Sequence, residues 1–199
     1  MRGHARPVEL LADAVLEDPA YRVPSAPGGS TGLAWLRARV ARFSDGEEHR
    51  RRRELAEEVI AGLRDAGGAT SPTRSLLRAL RLPEDTEADV ALVAAAYQPH
   101  APQSEAADVA ADRLVEACGG RTEQAAARAG VLVQAHAATL ALVEARRAGS
   151  DAPPVPATRR IAPDGTEVAV DLAGAHFGRG PHRCPGEDLA TRLAEEALR

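Results

Sequence analysis

Apolar residues at helical spacing dominate this chain, and the longest uninterrupted stretch runs from Thr122 to Arg147 with Ala, Leu or Val at nearly every turn. A helix apolar on most of its sides belongs inside a fold, so this segment is predicted to be central. Shorter helices are predicted for Leu33 to Val40 and near 72–80, 86–97 and 104–117. Ser44-Asp45-Gly46-Glu47-Glu48 opens a further helix, with Asp45 as N-cap and Glu48 closing a capping box three residues later. That helix runs to about Leu63 and stops at Ala66-Gly67-Gly68. Pro7 to Leu16 reads as a short amphipathic helix with Val8, Leu11, Ala14 and Val15 on one side. Extended segments come late: Ala157 to Ile161 and Glu167 to Leu172 flank Pro163-Asp164-Gly165, a hairpin signal. Loops rich in Pro, Gly or Ser lie at 24–32 and 151–156, and a last helix is predicted from Pro185 to Arg199. The pattern gives a mainly α fold with a small β-hairpin, in a single compact domain over 1–199.

Composition sharpens this reading. The chain is 44% hydrophobic but only 3% aromatic, so Ala, Leu and Val must fill the core, and Ala and Leu are strong helix formers. The net charge of −4 gives no global pull toward nucleic acid or an anionic membrane surface. All 25 cationic residues are Arg, with no Lys and no Asn, which reads first as the mark of a GC-rich genome. No apolar h-region opens the sequence, and no wholly apolar run approaches the ~20 residues of a membrane span, so a cytoplasmic protein without a membrane anchor is expected. Cys118, in Val-Glu-Ala-Cys-Gly-Gly at a predicted helix end, reads as a small core residue.

The other cysteine lies in the most informative segment, Phe177-Gly178-Arg179-Gly180-Pro181-His182-Arg183-Cys184-Pro185-Gly186. Pro185 suits the first position of a helix, and Glu187 and Asp188 put acid in its first turn. The field at such a helix start favours thiolate over thiol at Cys184. Gly178 and Gly180 allow positive φ and a close approach of the backbone to a flat ligand. A buried anionic sulfur of this kind suits a heme iron. A Gly-rich turn ahead of a helix, with a structural Cys, is the other reading of the same residues.

The decapeptide resembles the heme-binding loop of the cytochrome P450 family, Phe-Gly-x-Gly-x-His/Arg-x-Cys-x-Gly, and meets every fixed position. The resemblance implies heme as cofactor and Cys184 as axial ligand to its iron. Phe177 would shield the sulfur, and Gly178, Gly180, His182 and Gly186 would belong to the cofactor site. Two further patches resemble the family. Asp-Gly-Glu-Glu-His-Arg-Arg-Arg-Arg is similar to its C-helix, which puts His49 and Arg53 on a heme propionate. Pro154-Val155-Pro156-Ala157-Thr158-Arg159-Arg160 is similar to its Pro-Val-x-x-x-x-Arg strand, which gives Arg160 the same role. Arg50, Arg51 and Arg52 read as a solvated face. Four cationic donors from separated segments would then form one anion site.

Leu132 to Thr139 resembles the family's I-helix, whose motif is Ala-Gly-x-Asp/Glu-Thr. Thr139 matches and would be catalytic, or is an ordinary helical Thr. His136 stands at the Gly position and Ala138 at the acid position, so the proton relay lacks a link. His136 reads as a core or surface His, a proton donor, or a second axial ligand. Glu144 and Arg147 have the spacing of the family's K-helix pair, a spacing common in an Arg-rich helical chain.

The chain is roughly half the usual family length, which implies a compact or degenerate member. The activity implied is oxidation of a small organic substrate, as a monooxygenase or with peroxide. An acidic ferredoxin-type protein would supply electrons, docking near Arg179, Arg183 and Arg192, with Arg50 and Arg51 extending the patch. The alternative is a non-catalytic scaffold that binds a partner protein, with or without heme.

Overall fold

The structure is a computed structural model and describes residues 10–199. Seven α-helices and a three-stranded sheet follow one another along those residues. The helices are α1 (Gly32–Arg37), α2 (Gly46–Gly62), α3 (Pro72–Ala79), α4 (Thr86–Ala96), α5 (Glu105–Ala117), α6 (Glu123–Arg147) and α7 (Glu187–Ala197). Their starts are set by local chemistry. Ser71, Ser104 and Thr122 each accept a hydrogen bond from the backbone N–H three residues on, at 3.1–3.2 Å. Asp45 caps α2 by accepting from Gly46 N–H at 2.9 Å. The predicted capping box does not close, because Glu48 turns along the helix to Arg52, 3.3 Å away.

The central position of α6 is as the sequence predicts. It packs against α2, α3, α4 and α7, and its first half is almost wholly buried. The core is built from Leu36, Leu63, Leu76, Leu114, Leu132 and Leu193, with alanines of α5 and α6 between them. Those alanines let helix backbones approach closely, which is how a chain with few aromatic residues fills its interior. Among the described residues α6 alone is long and apolar enough by composition to cross a membrane, and it is mostly packed inside the protein. Arg128, Gln134, His136 and Thr139 interrupt its apolar run and kept it from reading as a span in the sequence.

The predicted hairpin is present: β2 (Ala157–Ile161) pairs antiparallel with β3 (Glu167–Asp171), Arg160 opposite Val168. A third strand was not foreseen. β1 (Leu10–Leu11) lies parallel to β3 on its other edge, and a 3₁₀ turn follows at Asp13–Leu16. The amphipathic helix read for Pro7 to Leu16 is therefore not formed over 10–16, and its first residues lie outside the described part. The apolar pair Leu10–Leu11 answers an open strand edge instead, a tertiary demand that local periodicity does not carry. At the other end, α7 starts at Glu187 with Gly186 as N-cap, so Pro185 precedes the helix rather than opening it.

Candidate functional site

A cavity of about 370 Å³ opens between α6, the segment before α7 and the β2 edge. That volume falls within the range of small-molecule sites. Its apolar lining comes from Val131, Ala135 and Ala138 of α6, Ile60 of α2, and Leu189 and Leu193 of α7. α6 and α7 meet at Leu142, Val143 and Ala194, with Phe177 against them, and part around the cavity.

Nine of the ten residues singled out in the sequence line this one cavity: His49, Arg53, Thr139, Arg160, Phe177, Gly178, His182, Cys184 and Gly186. Gly180 is the exception. It adopts φ +64°, and a Cβ there would lie 2.9 Å from the Leu16 carbonyl oxygen, so it serves the packing of the loop on the 3₁₀ turn. Gly178 also needs its freedom, at φ +76°. The loop is closed by Cys184 N–H donating to the Phe177 carbonyl at 2.8 Å and Gly178 N–H donating to Ala175 at 2.7 Å.

Cys184 is exposed, and it faces a concave wall rather than open solvent. Crowding by protein raises its pKa, partly offset by the Gly186 N–H and by Arg53. In the metal-free chain the group is thus a thiol, contrary to the thiolate expected from the helix start. Burial outweighs the Gly186 N–H at the helix start, which acts in the expected direction. Cys118 is buried at the end of α5, its thiol pushed up to about 11 by burial, as a structural cysteine should be.

Positive and imidazole groups gather on one side of the cavity. The rings of His49 and His182 lie 3.8 Å apart, centroid to centroid. His182 Nε2 is 3.5 Å from Asp45 Oδ1. Burial, then His49, then Arg160 lower the His182 pKa to about 4, and burial and Arg53 lower that of His49. Both rings are neutral at pH 7. Arg160 is only 4% exposed. Its guanidinium reaches Thr158 Oγ1 at 3.4 Å and the Arg159 carbonyl at 2.9 Å, and among the described residues it makes no ion pair. Burial and the neighbouring Arg42 bring its pKa down to about 10. A buried guanidinium without a carboxylate is costly unless an anion arrives. Arg53 is differently placed: it pairs with Glu57 at 2.6 Å and donates to the Pro181 carbonyl at 3.2 Å and to that of Arg183. It clasps the cysteine loop to α2.

The α6 wall departs from expectation. His136 does not line the cavity; its Nδ1 lies 2.8 Å from Thr73 Oγ1 on α3, and burial lowers its pKa. Its position on the far side of α6 leaves the core-or-surface reading and removes the proton-donor and axial-ligand readings. Ala138 does line the cavity, and Thr139 Oγ1 is buried there with no hydrogen-bond partner. Glu144 and Arg147 make no ion pair with each other, and Arg147 reaches Ala197 O at 3.4 Å instead.

Several polar cavity-lining groups were missed, among them Arg42, Tyr97, Gln98, Gln134 and His176. Arg42 and Gln134 carry no motif, and only the folded turn before α2 and the rotation of α6 bring them to the wall.

Comparison with solved structures decides the fold. The chain superposes on P450BioI, solved in complex with an acyl carrier protein ligated with hexadec-9Z-enoic acid, with TM-score 0.65 and 15% identity over 94% of this chain and 81% of that one. The fold is that of a cytochrome P450. Epothilone B-bound cytochrome P450epoK agrees, with TM-score 0.54 and 15% identity over 95% of this chain and 82% of the other. No protein-family model and no curated protein sequence matches the chain. The P450-like fold is thus carried by structure and by short motifs, with little overall identity between them.

Proposed function

We propose that this chain is a compact heme-thiolate protein of the cytochrome P450 type, oxidising a small organic substrate. The observation that carries the reading is Arg160: a buried guanidinium without a carboxylate partner, beside two neutral imidazoles and across one cavity from an accessible thiol. Heme has the complementary chemistry, an apolar ring with two carboxylates and a metal that accepts a thiolate. Among the described residues no three His, Cys, Asp or Glu side chains cluster as a metal site. A metal at Cys184 would therefore take its remaining ligands from an organic group.

In this reading Cys184 would supply the sulfur that binds the metal, as a thiolate. Arg53 holds the loop that presents it. Arg160 and the His49–His182 pair would hold the propionates, and Phe177 would shield the sulfur. Val131, Ala135 and Ala138 would exclude water from the α6 side of the cavity. Heme, when bound, supplies activation of O₂ or peroxide, with the thiolate aiding O–O cleavage. Thr139 has a buried hydroxyl free to donate or accept, and no carboxylate follows it in the wall. Peroxide brings both electrons and protons, so peroxide-driven oxidation suits this wall better than reductant and O₂.

A ferredoxin-type donor has weaker support. Of the arginines that would form its docking patch, Arg179 pairs with Asp13, Arg183 with Glu187, Arg50 with Glu47 and Arg51 with Glu123. Arg192 caps the Ala66 carbonyl at 2.6 Å. Such paired charges steer an acidic partner poorly. The missing acid at Ala138 favours the second reading, a P450-like scaffold that binds a protein partner, as P450BioI does with its carrier protein.

Titration of the purified chain with hemin tests the proposal. Saturation at one equivalent, with Arg160→Gln weakening it about ten- to hundred-fold, is expected. No uptake by the folded chain contradicts it and leaves the scaffold.

A further inference from the structure

Arg42 stands at the cavity wall beside the end of α4, and nothing in the proposed heme site uses it. Among the described residues it makes no ion pair; its one polar contact is to Thr158 Oγ1 at 3.4 Å. Burial lowers its pKa, partly offset by Tyr97. Tyr97 is 3% exposed, lines the same cavity, and its hydroxyl is buried without a hydrogen-bond partner. Phe43 ties the two together, with its ring 5.3 Å from that of Tyr97 and 5.6 Å from the Arg42 guanidinium carbon.

The contrast with Arg37 is instructive. That guanidinium is also buried in this corner, but it donates to the Tyr97 carbonyl at 2.8 Å, to the Ala96 carbonyl and to Gln103 Oε1 at 2.8 Å. It satisfies the orphan carbonyls at the end of α4 and so fixes the backbone of Tyr97. Arg42 has no such task. A guanidinium in the cavity wall without a carboxylate partner among the described residues, and an unpartnered phenol beside the same Phe43 ring, offer donors of the kind that bind a carboxylate.

We propose that Arg42 and Tyr97 form a carboxylate-binding subsite, and that the small substrate is an organic acid whose hydrocarbon part lies along Val131, Ala135 and Ala138. This rests on the reading of the cavity as a heme-thiolate site only for what is done to the acid; the subsite itself is made by protein side chains. Burial keeps the Tyr97 phenol protonated well above its ordinary range, so it donates at any physiological pH. Thr158 Oγ1 links the subsite to Arg160, which it also contacts at 3.4 Å, and in this proposal the two guanidiniums would hold separate anions.

The test is isothermal titration of the full chain, as purified and after hemin loading, with saturated monocarboxylates from octanoate to hexadecanoate and with their methyl esters. At least one acid should bind tighter than its ester by ten-fold or more. Arg42→Gln should erase that preference, Arg42→Lys should restore part of it, and Tyr97→Phe should lower acid affinity about two- to ten-fold. Hemin affinity should change less than three-fold in each variant, unlike Arg160→Gln. Equal binding of acid and ester, or no binding of either series, overturns the proposal. Loss of hemin from Arg42→Gln as severe as from Arg160→Gln assigns Arg42 to the propionates and also overturns it. If the wild-type chain refuses hemin yet keeps an acid preference that depends on Arg42, the heme reading falls and the subsite stands.

Discussion

On one side of the cavity, a thiol, two neighbouring imidazoles tilted 37° to each other and two arginines converge from α2, β2 and the loop before α7. On the other, α6 offers Val131, Ala135 and Ala138, with polar atoms only from Thr139 and from Gln134, whose amide is turned back to Gly130 O at 3.0 Å. On the proposed reading, the first wall would hold an anionic, metal-bearing cofactor. The second is built to exclude water and does little for proton movement. Retention and reactivity are separate demands, and the proposed reading has this chain better equipped for the first than for the second.

Removing the unpaired cation gives the largest expected effect and a change of sign. Arg160→Gln should weaken hemin binding about ten- to hundred-fold while raising the stability of the hemin-free chain by about 1 kcal/mol, because a buried charge without a partner is lost. Denaturant titrations with and without hemin measure both. Destabilisation of the hemin-free variant would show that Arg160 is already satisfied, and the contrast between the walls would narrow.

The loop comes next. Gly180→Ala should cost about 2 kcal/mol in thermal unfolding, from its positive φ and the Leu16 carbonyl, and Gly178→Ala about 1 kcal/mol, since its nearest neighbour is 3.8 Å from the added carbon. Equal costs would mean that backbone strain alone matters there.

Acid acts on the same wall. His182 has its pKa lowered from 6.5 to about 4 in the fold, so between those values the unfolded chain binds the proton and the folded one does not. Stability is full above pH 6.5 and falls as pH drops toward 4, by on the order of 1 kcal/mol per unit at the start, with His49 adding in the same direction. The groups facing the pair are Asp45, Arg53, Glu57 and Arg160. His182→Gln should flatten the profile of the hemin-free chain; an unchanged slope would assign the acid sensitivity to carboxylates elsewhere.

Changes on the α6 wall should be smallest in stability. Thr139→Val removes an unpartnered hydroxyl and should leave stability within about 1 kcal/mol of the native chain. Ala138→Asp should narrow the gap between peroxide-driven and reductant-driven turnover in hemin-loaded protein, while His136→Ala, outside the cavity, should not. An effect of His136→Ala as large as that of Ala138→Asp would place the proton route elsewhere.

The two walls also differ in how much of them the sequence discloses. The cysteine loop is contiguous, with spacing imposed by tight turns, so Phe177, Gly178, His182, Cys184 and Gly186 could be read together. His49 and Arg53 share a helix face, and Arg160 is fixed by strand alternation, so each could be placed once its element was known. α6 was equally clear as an element, yet its rotation was not. Small residues recur all round it, and only packing against α3 turns His136 away and leaves Ala138 in the wall. Arg42 and Tyr97 were invisible because their meeting depends on how the end of α4 sits on the turn before α2. β1 was missed for the same reason, being a two-residue answer to a strand edge made more than 150 residues later.

The most direct test is the absorption spectrum of the hemin-loaded chain, reduced under carbon monoxide. Ligation through Cys184 predicts the red-shifted Soret band of a thiolate complex in the native chain and its absence in Cys184→Ala. A Soret band without that shift in the native chain, or an unchanged spectrum in Cys184→Ala, would contradict the account at its centre.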